Sequence, residues 1–167
     1  MYRRKPRVPE GPLADARRGA QPRLFFPRLE PFYQSISGFA YPFIRFVTGA
    51  MLVPHGWRKF VDAGTQKSVI ELFHKLGIEP AVSAFWFIAS LELFGGLCLA
   101  IGLFTRPIAL AIAVEMLVIS FDVYGPNGFF AGARGYEHTL LWGLVALAIA
   151  ARGGGRQSAD RLIGKEF

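Results

Sequence analysis

Several ordinary features are missing from this chain, and each absence excludes something. There is a single cysteine, Cys98, so no internal disulfide or CxxC pair can form and dithiol chemistry within the chain is excluded. Cys98 lies between Leu97 and Leu99 in an apolar run and reads as a small packing residue. A cleavable signal peptide is not expected, because Pro-rich sequence follows the basic N-terminus where an apolar stretch should be. GGGR at 153–156 follows no strand and lacks the Lys-Ser/Thr of a phosphate loop. No nucleic-acid partner is expected. Also lacking is the polar face that recurs every 3.6 residues on a soluble helix: the long apolar segments here have none.

What is present is hydrophobic. Over the 167 residues, 52% are apolar and the mean hydropathy is +0.33. Four segments stand out, at about 36–55, 81–104, 107–124 and 134–151. Crossing a bilayer takes roughly 17–25 residues of helix. The fourth segment reaches this only by starting near Arg134, which draws Glu137 and His138 to the membrane edge. These spans predict an all-α integral membrane four-helix bundle over residues 35–152. A basic, Pro-rich tail precedes it at 1–34 and a C-terminal tail comes after it at 153–167.

Charge orients the bundle. Thirteen Lys/Arg fall in the two tails and at Arg106 and Arg152, against five in the 57–80 and 125–135 loops. The positive-inside rule therefore expects both termini in the cytoplasm, with the chain multi-pass in a bacterial inner membrane. The end of the N-terminal tail, RLFFPRLEPFYQ at 23–34, mixes aromatic and basic residues. It reads as an interfacial lipid anchor or as a docking arm for membrane-protein partners. In the first loop, Val69, Ile70, Phe73 and Leu76 recur at helical spacing. That pattern suggests a short amphipathic helix, roofing the bundle mouth or serving as a plain connector.

Inside the spans, charge is expensive: an arginine at mid-bilayer costs about 2.5–3.5 kcal/mol on insertion scales. Counting along each span puts Arg45, Glu92 and Glu115 near one level, with His55, Asp122, Glu137 and His138 nearer the outer end. Arg45 is expected to neutralise one of the two glutamates. Glu115 and Asp122 are two helical turns apart and are expected on one face, separated by about 10 Å. The second glutamate would need a proton, a hydrogen bond or an outside partner. His55 and His138 come at similar depth on different helices, as an axial haem pair would need, but two histidines are a weak signal and haem is disfavoured. No metal site is expected.

The arrangement resembles the DoxX family of small four-helix bacterial membrane proteins, from about Tyr41 to Gly164. The resemblance rests on Arg45 with Gly49, HGWRKF at 55–60 and LELFGGLCLAIGLFTRP at 91–107, then GFF at 128–130, the glutamate opening the fourth span, and GGGRQSADRLIG at 153–164. The long N-terminal tail and Glu115 lie outside it. By position, Arg45, His55, Lys59, Glu92 and Glu137 match the family's recurring polar residues. The resemblance implies a membrane component of an oxidoreductase system. One related branch forms part of a thiosulfate:quinone oxidoreductase, and others are linked to sulfur and oxidative stress.

Three functions are expected. The first is a subunit of a quinone- or sulfur-linked redox complex, with a quinone-like ligand in a pocket drawn from Arg45, His55, Lys59, Glu92, Glu115, Asp122, Glu137 and His138. The second is a non-catalytic assembly subunit docked through its N-terminal tail. The third is a small transporter, although no internal repeat of the usual kind is visible. No catalytic residue can be named from the sequence.

Overall fold

A computed structural model describes residues 24–166; the tail expected over 1–34 lies outside the described residues as far as Arg23. Among the described residues every element is helical and there is no strand. The chain divides into two units at residues 37 and 38. In the first, the turn Pro27–Leu29 leads into a helix whose opening is tied by Gln34 Nε2 donating to Glu30 Oε1 at 3.0 Å. Its aromatic residues Phe25, Phe26, Phe32 and Tyr33 are exposed.

The main helices are α1 (Glu30–Ala50), α2 (Val53–Val61), α3 (Ala63–Lys75), α4 (Ala81–Ser90), α5 (Gly96–Ile101), α6 (Thr105–Val118), α7 (Glu137–Arg152) and the short α8 (Ala159–Leu162). Helix α1 begins at Glu30, ahead of the expected start near residue 36. It breaks at Met51 and Leu52 because Pro54 has no N–H to offer the carbonyl of Ala50. Leu52 N instead donates to the nearer Gly49 carbonyl, at 3.1 Å. Asp62 caps α3, accepting from Gly64 N at 2.9 Å and from the Thr65 hydroxyl at 2.6 Å. The Thr65 hydroxyl first, and then the Gly64 amide, hold its carboxyl below the usual aspartate range. The opening of α4 is tied similarly, by Glu79 Oε2 accepting from Ala81 N at 3.0 Å.

Two helices do not keep the α repeat throughout. A π-helical turn, Leu91–Gly95, separates α4 from α5, and a second, Ile119–Val123, continues α6. Such turns insert an extra residue into the hydrogen-bond ladder and occur frequently at functional sites. Here they hold Glu92 and reorient Asp122.

Helices α1 and α2 run along α4, its π turn and α5 at backbone contact. A Cβ on Gly49 would collide with the Gly96 carbonyl and Ala100 N, and one on Gly56 with Leu93 N. Small residues at such crossings are what let membrane helices meet closely. Helices α6 and α7 pack over Gly143, where a Cβ would stand 3.2 Å from Met116 Cβ. Leu99, Ile112, Met116, Ala146 and Ile149 fill the core between them.

The surface is inverted relative to a water-soluble protein. Phe43, Phe46, Phe87, Phe94, Leu110 and Leu141 are exposed, while Arg45, Glu92 and Glu115 are buried. An apolar shell over buried charge is the pattern that a lipid solvent selects. Among the described residues, two helical runs are long and apolar enough to cross a membrane, Pro27–Val61 and Ala81–Ile101. Helix α6 with its π turn carries Arg106, Glu115 and Asp122, and α7 has only 16 residues.

Candidate functional site

The glycine contacts set the level of each buried charge. Gly49 faces Gly96, Gly56 faces Leu93, and the guanidinium of Arg45 lies against Gly102, in the turn that ends α5. Arg45 is therefore level with the end of the second apolar helix and not with Glu92. The expected Arg45–glutamate pair does not form. Arg45 Nη1 donates to the Gly154 carbonyl and Nη2 to the Gln157 carbonyl at 2.7 Å. Counting depth along an assumed span misplaces it because the close approaches at Gly49, Gly56 and Gly102 set the alignment of the helices.

The partners of Arg45 belong to the C-terminal segment, which folds back on the helix ends. One turn before Arg45, the Tyr41 hydroxyl donates to the Gly153 carbonyl, and the Arg152 guanidinium covers the Tyr41 ring at 4.2 Å. Buried Asp160 accepts from Phe104 N at 2.7 Å, Thr105 N at 2.9 Å and the Thr105 hydroxyl at 2.7 Å, capping α6. Arg106 closes the end of α7, donating to Ala151 O at 2.8 Å. Gly102 sits at φ +76° in the middle of this clamp, where a side chain would be both strained and obstructed by Arg45. Sequence reasoning placed 153–167 in a C-terminal tail and missed Asp160. The recurrence of GGGRQSADRLIG in the family resemblance was the one signal for it.

Toward the other end the buried charges meet. Lys59 Nζ, on α2, forms an ion pair with Glu92 Oε2 on the π turn, whose side chain is 5% exposed. Gly56, one turn before Lys59, permits this by letting α2 lie directly on Leu93. Glu115, on α6, is buried nearby, against the same cleft that Lys59 borders. Neither of its carboxyl oxygens has a partner.

Three spaces border this group. A cavity of about 330 Å³ is lined by His55, Lys59, Glu92, Tyr124, His138, Thr139 and Trp142, with Met51, Leu52, Met116 and Ile119 completing it. Trp142 lines its wall, and the Trp142 indole N–H is buried without an acceptor. An apolar cleft of about 710 Å³ runs between α3, α4 and α6; Lys59, Glu115 and Tyr124 are its polar residues, and Val69, Leu72 and Phe73 of α3 cover one side. An open polar recess of about 570 Å³ carries His55, Arg58, Lys59, Asp62 and Thr65. Lys59 borders all three.

Of the predicted residues, His55, Lys59, Glu92 and His138 thus share one cavity wall, and Glu115 lines the adjoining cleft. Arg45 belongs to the clamp. Asp122 is exposed: the π turn adds a residue after Glu115, rotating the chain beyond it by about 100°, so the expected common face is lost. Glu137 is not on the cavity wall either. Its Oε2 accepts from Ala131 N at 3.0 Å and its own N–H donates to the Phe129 carbonyl at 2.9 Å, so it clasps the 128–136 loop. Sequence reasoning missed Tyr124, Thr139 and Trp142. Trp142 lies one helical turn from His138, and that spacing was available as a signal.

Such a space, an apolar slot with a few convergent polar groups, suits a small ligand carrying hydrogen-bonding oxygens. The DoxX family model matches residues 41–125, which contain Arg45, His55, Lys59, Glu92 and Glu115. An uncharacterized protein of Haemophilus influenzae is 30% identical over 123 residues, covering 71% of this chain and 86% of that one. A Bacillus subtilis protein named "Putative oxidoreductase CatD" is 29% identical over 108 residues, covering 64% of this chain and 75% of that one. No solved structure matches at a comparable level.

Proposed function

The chain belongs to the DoxX family, and from that premise we propose that it is a multi-pass component of an inner-membrane redox system. Its four apolar helical segments cross the bilayer with both tails in the cytoplasm, where most of the Lys/Arg lie. In this reading the cavity beside the Lys59–Glu92 pair binds the oxygen-bearing ring of a quinone-like amphiphile. The adjoining cleft, walled by Leu72, Phe87, Ile88 and Leu110, accommodates its apolar chain.

The observation that carries the proposal is a cavity lined by His55, His138 and a buried ion pair, with Trp142, whose indole N–H has no acceptor, in its wall. A buried donor without an acceptor costs about 1–3 kcal/mol, and a carbonyl oxygen in the cavity would recover it. The name of the Bacillus subtilis relative points the same way. Trp142 and His138 would orient the ring, His55 and Glu92 would exchange protons with its oxygens, and Lys59 would hold the Glu92 side chain in place. The redox chemistry belongs to the ligand when bound.

The test uses fluorescence. A Trp57→Phe/Trp86→Phe variant leaves Trp142 as the sole tryptophan. Decylubiquinone should quench it saturably, with a half-point on the order of micromolar, about −8 kcal/mol of binding. A linear quench shared equally by Trp57 and Trp86 in their own single-tryptophan variants would mean that the quinone is merely dissolved in the micelle, and the reading would fall.

A further inference from the structure

On the outer side of the Arg45 clamp lies a recess of about 350 Å³ bordered by Arg152, Arg156, Arg161 and Lys165. The two carboxylates beside it are already engaged. Asp160 is buried and caps α6, while Glu166 Oε1 accepts from Gly154 N at 2.8 Å and faces Arg106 Nε at 3.5 Å. Arg156, Arg161 and Lys165 are exposed, and among the described residues their side chains have no hydrogen bond or ion pair. Arg152 rests its guanidinium on the Tyr41 ring. The backbone beneath these cations is fixed. Arg161 N donates to Ser158 Oγ at 3.2 Å, Ile163 N to Ala159 O at 3.0 Å and Lys165 N to Asp160 O at 3.2 Å. Four positive side chains therefore border one small space, and their mutual repulsion favours an anion between them.

Beside the cations the chain turns apolar residues outward: Leu162 is 89% exposed and Ile163 is exposed as well. Both sit where the lipid-facing helices end. Helix α7 stops at Arg152 after the exposed Leu141, Leu144 and Leu147, and α6 starts at Thr105, which Asp160 caps. Outward apolar side chains next to Lys and Arg are the composition of a segment lying in the membrane interface, and such cations attract anionic headgroups. We propose that this recess binds the phosphodiester headgroup of an anionic phospholipid. Arg156, Arg161 and Lys165 surround its phosphate oxygens, the planar guanidinium groups pairing with them two at a time. Leu162 and Ile163 lie against the acyl chains beside it. A freely dissolved phosphate would match the charges but leave these two residues in water, which is why the lipid is the better occupant. The site needs only the membrane setting of the family and does not depend on the quinone reading, which concerns the other end of the bundle.

Native mass spectrometry tests this on the full-length protein, loaded in detergent with equal amounts of dioleoylphosphatidylglycerol and dioleoylphosphatidylcholine. The wild type should retain phosphatidylglycerol in clear preference to phosphatidylcholine. Arg156→Gln/Arg161→Gln should weaken that retention on the order of ten-fold, and Lys165→Gln should weaken it less. Lys67→Gln/Lys75→Gln removes the same charge from α3 and should leave retention unchanged. All the replaced residues are exposed, and gel filtration checks that each variant stays folded; should the arginine double variant not, Lys165→Gln carries the comparison. Equal retention of the two lipids by the wild type overturns the site. Equal weakening in the two double variants does so too, since it would reduce the effect to overall charge. Inorganic phosphate, added at the concentration of the lipid, should not displace it. Displacement would make the recess a site for a free anion and overturn the lipid assignment. No outcome involves decylubiquinone, so this proposal and the quinone reading can fail separately.

Discussion

Both ends of this helical assembly bury charge, and they treat it in opposite ways. At the Arg45 end, Asp160 receives three donors within hydrogen-bonding distance, and Arg45, apart from its Nε, is occupied by backbone carbonyls. At the Lys59 end, one ion pair is surrounded by a carboxyl without a donor, an indole without an acceptor, and open space. Buried polar groups are normally satisfied, and each exception calls for a reason. A closed network reads as architecture. An open one beside a cavity reads as a place prepared for a ligand or a proton.

The contrast is tested most severely at the closed end. Asp160→Ala strands two backbone N–H groups and the Thr105 hydroxyl, and leaves Arg45 without the nearby negative charge. Losing one partner of a buried charged network costs about 3–5 kcal/mol. The melting temperature in detergent should fall sharply. An unchanged melting curve would mean that the clamp is not architectural.

A smaller effect separates the two ends physically. Gly56→Val drives a side chain into the backbone of Leu93, so α2 must move off the π turn. Overpacking of this kind costs about 1–3 kcal/mol. The damage should appear as loss of the Lys59–Glu92 contact, with the Arg45 clamp spared. Amide exchange over the π turn Leu91–Gly95, compared with exchange at Phe104 and Thr105 in the clamp, reads the difference. Equal loss at both sites would make the ends one cooperative unit.

The mildest effect concerns the cleft wall. Asp62 caps α3 from a solvent-facing position, and the Thr65 hydroxyl with the Gly64 amide holds its pKa below the ordinary value. Its contribution is therefore fully present above the ordinary aspartate range and is lost as pH falls through the lower folded value. The protection factor of amide exchange at Gly64 to Gln66 should fall on acidification, and Asp62→Ala should show that lower protection at every pH. A flat profile in the wild type would remove Asp62 from control of the wall.

Much of the architecture could be read from residue types. The apolar runs 81–104 and 107–124 become α4 with α5 and α6 with its π turn, and the periodicity of Val69 and Phe73 becomes α3. The identity of the buried charges was also legible, since each is an anomaly against its apolar neighbours. Their partners were not. Arg45 was assigned to a glutamate because depth along a helix was taken as proximity, whereas Gly49, Gly56 and Gly102 set a different alignment. Asp122 was placed beside Glu115 because an unbroken α repeat was assumed through a stretch where the ladder widens. Glu137 was drawn to the cavity by its polarity, although a loop carbonyl and amide use it first.

Composition and local periodicity were enough to make this chain a set of helices with an apolar exterior, and to single out the few residues that are costly to bury. Both act over single turns of chain, so no knowledge of neighbouring helices is needed. Which costly residues offset one another was settled by packing alone. Pairing depends on helix register, close approach at glycines and two π turns, and those are properties of helices in contact rather than of any one of them.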